Sequence, residues 1–165
     1  MTTTHREHHY EVSVEWTGNQ GTGTSAYKAY KRDHLVHSGE KPAIQGSADP
    51  AFRGDSKRWN PEELLVAALA ACHQLAYLHL CAVEGITVLT YSDSASGTMV
   101  EDESGRARFV RVILRPHVTI GSGDNAEAAM KLHHEAHAKC FIANSVNFPV
   151  DHDPTIQQEG ETIAA

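Results

Sequence analysis

Hydrophobic residues are concentrated in one stretch in the middle of the chain, residues 64–83. The polar residues within it are His73, Gln74 and His79. Just before this stretch, Asn60 suits a helix N-cap, Pro61 suits the first helical position, and Glu63 can complete a capping box with Asn60. Gly85 follows as a C-cap. A helix that is apolar on nearly every face must be buried on nearly every face, so the pattern predicts a central core helix.

Shorter patterns on both sides of the central helix predict β-strands and one further helix. Strict alternation over residues 10–16 is typical of a half-buried strand with Tyr10, Val12, Val14 and Trp16 on one face. Further strands are predicted at residues 24–31, 34–37, 41–45, 86–91, 96–100, 106–120 and 145–150. Asp124 and Glu127 predict a capping box that opens a second helix, which runs to about Cys140. The tail after Asp151 is polar and is expected to be frayed.

This order of elements predicts an α+β protein with one domain over residues 1–165, a core at about residues 8–152 and a polar tail at residues 153–165. A domain of this size has difficulty enclosing an apolar helix on all sides. A second copy would supply the missing cover, so we expect a tightly interlocked homodimer. A monomer in which two sheets or loops cover the helix is the alternative.

The composition and charge of the chain argue against several classes of protein. The net charge is -7 with histidines neutral, and no basic stripe balances it, which argues against a nucleic-acid partner. The first residues lack the apolar core of a signal peptide, and three cysteines do not make a disulfide framework. We therefore expect a cytoplasmic protein with free or redox-active thiols. The apolar stretch has acidic residues at its ends instead of a Lys/Arg bias, which argues against a membrane span.

Cys72 lies in the middle of the central helix and is the first candidate for chemistry. A buried structural cysteine is the simpler interpretation. Glu62 favours a functional role for Cys72, because the neighbouring Glu63 already supplies the helix cap and the cap therefore does not account for Glu62. Glu62 precedes Cys72 by ten residues, which places the two about 80° apart around the helix and about 15 Å apart along it. A guanidinium from the preceding loop, Arg53 or alternatively Arg58, could bridge them and favour the thiolate, while the carboxylate holds the guanidinium.

Cys140, at the end of the second helix, opens two interpretations. If its thiol approaches Cys72, the pair has the layout of a two-cysteine peroxide reductase, in which a sulfenic acid condenses with the second thiol. Alternatively, His133, His137 and Cys140 share one helical face at a spacing acceptable for zinc ligands, although the usual carboxylate or cysteine pair is missing. Cys81 points away from Cys72 and is assigned to packing.

Two segments of the sequence resemble the OsmC/Ohr family of organic hydroperoxide reductases. They are NPEELLVAALAAC at residues 60–72 and AHAKCFIANSV at residues 136–146. The order of strands and helices from about residue 8 to residue 152 fits the family as well. The resemblance implies an OsmC-like fold: antiparallel sheets wrapped around long central apolar helices in an intertwined homodimer, with active sites at the subunit interface.

The resemblance also implies roles for individual residues. Cys72 resembles the family's peroxidatic cysteine and Cys140 its resolving cysteine, while Glu62 resembles the carboxylate that holds the active-site arginine. Arg53 matches the arginine of the OsmC branch best, and Arg58 is the alternative. The glycine-rich segment at residues 18–23 lacks the arginine of the Ohr branch.

The activity implied by this resemblance is a thiol-dependent peroxidase that reduces organic hydroperoxides in preference to hydrogen peroxide, without a bound cofactor or metal. Cys72 would become a sulfenic acid and then form a disulfide with Cys140. A dithiol such as a dihydrolipoyl group, often carried on a lipoylated protein, would reduce that disulfide. A non-catalytic protein of the same fold that binds a small molecule or a metal is the alternative.

Overall fold

The computed structural model describes residues 6–161; residues 1–5 and 162–165, the latter within the predicted tail, lie outside this range. Two compact units make up the chain, Met1–Leu64 and Leu65–Ala165. The chain contains both helices and strands, so the predicted α+β class is confirmed.

The first unit contains a three-stranded antiparallel sheet. Its strands are β1 (Ser13–Trp16), β2 (His34–His37) and β3 (Ile44–Gly46), hydrogen-bonded in that order. The predicted hairpin of residues 34–37 and 41–45 is confirmed. Residues 24–31 form turns instead of the predicted strand. The reason is that Arg32 donates hydrogen bonds to the carbonyls of Tyr30 (2.7 Å) and Tyr27 (2.9 Å), which folds the segment back on itself.

The face of β1 that the alternation predicted to be half-buried is open in the single chain. Val12 is 70% exposed, Val14 is 66% exposed and Trp16 is 43% exposed. The prediction of a half-buried strand is therefore wrong for one chain, because no element among residues 6–161 covers these side chains.

The central helix α1 spans Pro61–Val83, as predicted. Its capping box is present: Glu63 N–H donates to Asn60 Oδ1 at 2.7 Å, and Asn60 N–H donates to Glu63 Oε2 at 3.2 Å. The buried side of α1 consists of Leu69, His73, Tyr77, Leu80 and Cys81. The opposite side carries exposed residues spaced four apart, which are Ala67, Ala71, Leu75 and His79. One chain thus buries one side of α1, not the nearly complete circumference that its composition predicted.

By length and composition, α1 is the one helix of residues 6–161 that could cross a membrane. Core helices pass the same test, and the buried side of α1 packs into the two hydrophobic clusters described below. This packing is the behaviour of a core helix.

The second unit contains six strands and the second long helix. They are β4 (Val88–Asp93), β5 (Ser96–Glu101), β6 (Ala107–Leu114), β7 (Pro116–Ile120), α2 (Ala126–Lys139), β8 (Val150–His152) and β9 (Thr155–Gln158). The strands form two sheets, ordered β4-β7-β9 and β5-β6-β8. Their β6–β8 and β7–β9 pairs are parallel, and the other pairs are antiparallel.

Several predicted boundaries in this unit differ from the structure. The strand predicted at residues 106–120 is divided between two sheets, because Pro116 has no N–H and Arg115 N–H donates to Asp93 Oδ1 at 2.7 Å. The N-cap of α2 is Asn125, whose Oδ1 accepts from Ala128 N–H, while Asp124 accepts from Thr87 N–H instead.

The end of the chain differs most from its prediction. The strand predicted at residues 145–150 begins only at Val150, where β8 pairs in parallel with β6. The expected frayed tail contains β9, which pairs in parallel with β7. Parallel pairing with a strand much earlier in the chain leaves no local hydrophobic pattern, so polarity alone suggested a loose end. Strand β8 also places His152 next to the helices, as described below.

Two hydrophobic clusters form the core of the second unit. One contains Tyr77, Leu80, Cys81, Ile86, Val118, Ile120, Ala129, Leu132 and Ala136, and the other contains Leu69, Val112, Leu114 and Val150. Helix α1 contributes to both clusters, which fixes its buried side. This packing fixes the side chains of His73 and Cys81, which lie on the buried side of α1.

Candidate functional site

Cys72 on α1 and Cys140 at the end of α2 are brought together inside the second unit, although they are distant in the sequence. The Cys72 thiol lies close enough to the Cys140 thiol to affect its pKa. Both cysteines are reduced, and Cys72 is half-buried while Cys140 is 1% exposed. The arrangement places two reduced thiols near each other and leaves Cys72 the more accessible residue of the two.

Cys140 is held by the turn that follows α2. As the C-cap, its N–H donates to the carbonyl of His137 at 3.2 Å. Its sulfur accepts the N–H of Ala143 at 3.4 Å, and its carbonyl accepts the N–H of Asn144 at 3.0 Å. Burial, together with the neighbouring Cys72 thiol, raises the pKa of Cys140 to about 11. Cys140 is therefore protonated at neutral pH.

Helices α1 and α2 and strand β8 contribute to a group of histidines that we call the histidine array. Its members are His73 on α1, His133, His134 and His137 on α2, and His152 on β8. His73 Nε2 and His133 Nδ1 are 3.0 Å apart, so one of these nitrogens donates to the other. The ring of Tyr77 stacks on His133 with centroids 3.8 Å apart. His152 lies 4.8 Å from His134 and 5.5 Å from His137 between ring centroids.

The two central histidines are fully buried and neutral. Burial, reinforced by the surrounding histidines, lowers the pKa of His73 to about 4 and that of His133 to about 3. Beyond their mutual hydrogen bond, His73 Nδ1 and His133 Nε2 are buried without a partner among residues 6–161. His137 Nδ1, on the neighbouring half-buried ring, is likewise without one in that range.

Only a weak sign of this array is present in the sequence. His133 and His137 share a helical face by their spacing, but His73 and His152 come from distant segments. Within residues 6–161, no three His, Cys, Asp or Glu side chains converge closely enough to hold one metal ion. His133 Nδ1 is instead occupied by the hydrogen bond with His73.

Glu62 lies in the first unit and lines a pocket of about 470 Å³. Aromatic and polar side chains form its wall: Trp16, Thr24, Tyr30, Arg32, His34, Ser47, Asp49 and Phe52 are among them. The buried Glu62 Oε2 has no hydrogen-bond partner in the part of the chain that the structure describes. A carboxylate oxygen in this position is suited to receive a cation or a donor.

The two arginines proposed from the sequence lie away from the Glu62 carboxylate. Arg53 is exposed, in a left-handed conformation (φ 66°) that ends a short 3-10 helix at Pro50–Phe52. Arg58 is paired with Asp33 at 3.7 Å and Asp55 at 3.8 Å. Within residues 6–161, neither arginine forms an ion pair with Glu62.

Arg32 is the arginine that lines the same pocket as Glu62, and it was not among the candidates from the sequence. Its guanidinium lies over the ring of Tyr30, 4.1 Å from the centroid, and is fixed by the carbonyls of Tyr27 and Tyr30. It follows the glycine-rich segment between β1 and β2. The position of Arg32 after this glycine-rich segment is the feature of the sequence that could have identified it.

The chain is similar in sequence and structure to known proteins. The sequence pattern of the OsmC-like protein family matches residues 54–154. An OsmC-like protein of unknown function from Vibrio cholerae is 30% identical, with a TM-score of 0.82 over 90% of this chain and 100% of that chain. No curated protein matches the sequence significantly.

Two organic hydroperoxide resistance proteins share the fold at lower identity. The protein from Legionella pneumophila is 19% identical, with a TM-score of 0.66 over 92% of this chain and 98% of that chain. The protein from Bacillus subtilis is 20% identical, with a TM-score of 0.61 over 91% of this chain and 98% of that chain. The family pattern covers more than half of the chain, and the Vibrio cholerae relative extends the similarity to most of its length; this chain therefore belongs to the OsmC family.

Proposed function

We propose that this protein is a thiol-dependent peroxidase that reduces organic hydroperoxides through Cys72 and Cys140. The observation that carries the proposal is the proximity of two reduced thiols that are far apart in the sequence. A structural role for either cysteine alone would not require the other beside it. The organic hydroperoxide resistance proteins that share the fold support this class of substrate.

The chemistry begins with the Cys72 thiolate, since Cys72 is the more accessible sulfur. Its sulfur attacks the outer peroxide oxygen, the O–O bond breaks, and the alkoxide takes up a proton from water and leaves as the alcohol. The resulting Cys72 sulfenic acid is then attacked by Cys140 sulfur. The S–O bond breaks, water leaves with the Cys140 proton, and a disulfide forms.

An external dithiol then reduces the disulfide by thiol exchange, and two electrons return to the cysteines. A dihydrolipoyl group, free or on a lipoylated protein, is the reductant that we propose. The cycle uses only the protein's sulfur atoms and needs no bound cofactor. The products are an alcohol, water and the oxidised dithiol.

Arg32 is our candidate for the guanidinium that acts with Glu62, in preference to Arg53 and Arg58. Arg32 and Glu62 line one pocket, and the buried Glu62 Oε2 is unpaired among residues 6–161. A guanidinium donates paired hydrogen bonds to a carboxylate and favours a nearby thiolate. We propose that Glu62 orients Arg32 for its part in the reaction.

A second copy of the chain is the partner that we propose for the exposed side of α1. Ala67, Ala71, Leu75 and His79 present a mostly apolar stripe, and Leu75 is 68% exposed. Exposed apolar stripes of this kind mark protein contacts. We further propose that both units belong to one OsmC-like domain, because the family pattern runs across their division at Leu64.

Mass spectrometry after one equivalent of cumene hydroperoxide tests the proposal. We expect the protein to lose two hydrogens, with a crosslinked peptide pair that contains Cys72 and Cys140. Cys72→Ser should abolish the reaction, and Cys140→Ser should leave a sulfenic acid that dimedone traps. Cys81→Ala is the matched control and should react as the wild type. Unmodified thiols in the wild type would overturn the proposal and favour a non-catalytic protein.

A further inference from the structure

The pocket that Glu62 lines places three aromatic side chains beside the Glu62 carboxylate. Trp16, Tyr30 and Phe52 form this aromatic wall. The pocket encloses about 470 Å³, which is within the range of small-molecule sites in proteins. All of its lining residues belong to the first unit, Met1–Leu64. The pocket therefore has the size of a small-molecule site and lies within one unit of the chain.

The aromatic wall is held in place by the connection between β1 and β2. Trp16 Nε1 donates to the carbonyl of Lys31 at 2.9 Å, and the ring of Tyr30 meets the indole edge to face, with centroids 5.8 Å apart. The two ends of this connection are joined, because Lys31 N–H donates to the carbonyl of Gly18 at 2.9 Å. A wall that is already ordered loses little conformational entropy when a ligand binds to it.

The charged side chains that line the pocket are those of Arg32, Asp49 and Glu62, with a formal sum of -1 when His34 is neutral. Arg32 is already engaged, because it donates to two carbonyls of its own connection and lies over the Tyr30 ring. Asp49 Oδ1 accepts a backbone N–H of the short 3-10 helix at 2.7 Å. Glu62 Oε2 is buried and has no hydrogen-bond partner among residues 6–161. Glu62 is therefore the carboxylate that is open to a ligand.

The start of α1 does not account for the burial of this oxygen. Asn60 and Glu63 make the capping box. A carboxylate in the first turn complements the helix dipole equally well when it is exposed to solvent. A buried carboxylate oxygen without a donor is destabilising. A ligand that brings both a donor and a positive charge would offset this loss.

We propose that the pocket binds a small protonated organic amine, with its ammonium group on Glu62 and its apolar part on the aromatic wall. An ammonium N–H donates a charge-assisted hydrogen bond to a carboxylate, and an ammonium group is also attracted to the faces of Trp, Tyr and Phe. The terminal torsion of a glutamate is broad, so a small rotation turns Oε2 toward the pocket. The charges of Glu62 and Asp49 disfavour an anionic ligand.

This amine site goes beyond the proposed peroxidase function and does not depend on the redox chemistry of Cys72 and Cys140. If Glu62 orients Arg32, as proposed above, a bound amine competes with Arg32 for the carboxylate. Binding to the reduced protein in the absence of peroxide therefore tests the amine site separately. Failure of the peroxidase function leaves that result unaffected.

Isothermal titration calorimetry of the reduced protein with benzylammonium is the test. Benzyl alcohol keeps the ring without the charge, and benzyltrimethylammonium keeps the charge without an N–H donor. We expect both analogues to bind at least about tenfold more weakly than benzylammonium, because each lacks part of the charge-assisted hydrogen bond. The indole N–H signal of Trp16 in the NMR spectrum, assigned with Trp16→Phe, should shift when benzylammonium binds.

Two variants each remove one part of the site, and each has a matched control. Glu62→Gln keeps the size of the side chain without its charge and should weaken benzylammonium binding about 10- to 100-fold. Glu40→Gln, at an exposed turn outside the pocket, should bind as the wild type. Phe52→Leu, at a 44% exposed position, should weaken binding about 2- to 5-fold. Phe141→Leu, at a 77% exposed position of the second unit, should have no effect.

Absence of binding to the wild type at up to about 10 mM benzylammonium would overturn the inference. Binding that Glu62→Gln leaves unchanged, or that does not shift the Trp16 signal, would place the amine elsewhere and overturn it as well. Equal binding of benzyl alcohol would exclude the charge, and equal binding of benzyltrimethylammonium would exclude the N–H donor. If circular dichroism shows that Glu62→Gln does not fold, the two analogues with the wild type and the Phe52→Leu variant decide.

Discussion

His73 Nε2 lies 3.0 Å from His133 Nδ1, and this single hydrogen bond joins the buried sides of α1 and α2. The two residues are 60 positions apart, and both are fully buried. The bond needs at least one neutral ring, since two imidazolium ions have no acceptor between them. The stability of the protein should therefore depend on pH in a range where most proteins change little.

We expect the free energy of unfolding to fall as the pH is lowered from 7.5 to 5. The folded pKa values of His73 and His133, about 4 and about 3, are below the ordinary value of 6.5. The unfolded chain therefore takes up protons in this range that the folded chain does not. The expected loss is about 2 kcal/mol for each histidine, or about 4 kcal/mol for both.

Urea unfolding at several pH values and a fixed protein concentration measures this loss. His133→Asn should reduce it by about half, because one of the two titrating groups is absent. His117→Asn, at an exposed position, should leave it unchanged. A wild-type stability that is flat between pH 7.5 and 5 would contradict the expectation.

The three thiols should differ in their rate of alkylation in the folded protein. Burial raises the pKa of Cys81, and burial with the neighbouring Cys72 thiol raises that of Cys140 to about 11. At pH 7.5, a thiol of pKa 11 is a thiolate in only about 3 × 10⁻⁴ of the molecules. We expect iodoacetamide to label half-buried Cys72 at least about tenfold faster than the other two thiols.

Peptide mass spectrometry at increasing labelling times gives the three rates. In Cys72→Ser, the neighbour that helps to raise the Cys140 pKa is removed, so Cys140 labelling should reach its maximum at a lower pH. Guanidinium-unfolded protein, in which all three thiols should react alike, is the control. Preferential labelling of Cys140 in the folded wild type would be inconsistent with its burial.

The sequence was sufficient for features whose cause is local. Asn60, Pro61 and Glu63 specify the start of α1 within a few residues, and the structure has that capping box. The hairpin of β2 and β3 likewise follows from short-range pattern and turn residues. Features that depend on distant pairing were missed, such as β9, which is placed by β7 and not by its own polar sequence.

The candidate site likewise combines residues that the sequence indicates with residues that only the fold brings together. Cys72 and Cys140 could be named from the sequence, but their contact depends on how α1 meets α2. Arg32 was not selected, because its position after the glycine-rich segment is a weak signal and its separation from Glu62 along the chain carries no periodic one. The histidine array was missed for the same reason: three separate segments contribute to it, and no spacing in the sequence connects them.

Substitution of the arginines should show which of Arg32, Arg53 and Arg58 acts in peroxide reduction. Arg32→Gln removes the guanidinium that shares a pocket with Glu62, and we expect the rate of peroxide reduction to fall about 10²-fold. Arg53→Gln, at an exposed position without an ion pair in the described range, should stay within about twofold of the wild type. Glu62→Gln should resemble Arg32→Gln if the two act together.

The measurement is the second-order rate constant for Cys72 oxidation by cumene hydroperoxide, from stopped-flow fluorescence or quenched thiol titration. Arg58→Gln needs a stability control, because Arg58 pairs with Asp33 just before β2 and with Asp55 in the loop before α1. A large loss in Arg53→Gln together with a normal Arg32→Gln would return the assignment to Arg53.

The exposed side of α1 should determine the oligomeric state. Ala71 and Leu75 lie one turn apart on this side, and a charge there would have to be buried unpaired if a second chain covers it. We expect Ala71→Glu or Leu75→Glu to convert a dimer into a monomer or to prevent stable folding. Light scattering after gel filtration measures the mass, and circular dichroism reports whether the helices remain. Ala138→Glu, at an exposed position of α2, is the matched control and should stay dimeric. A wild type that is monomeric at micromolar concentration would contradict the homodimer, since the open faces of α1 and β1 would then remain in water.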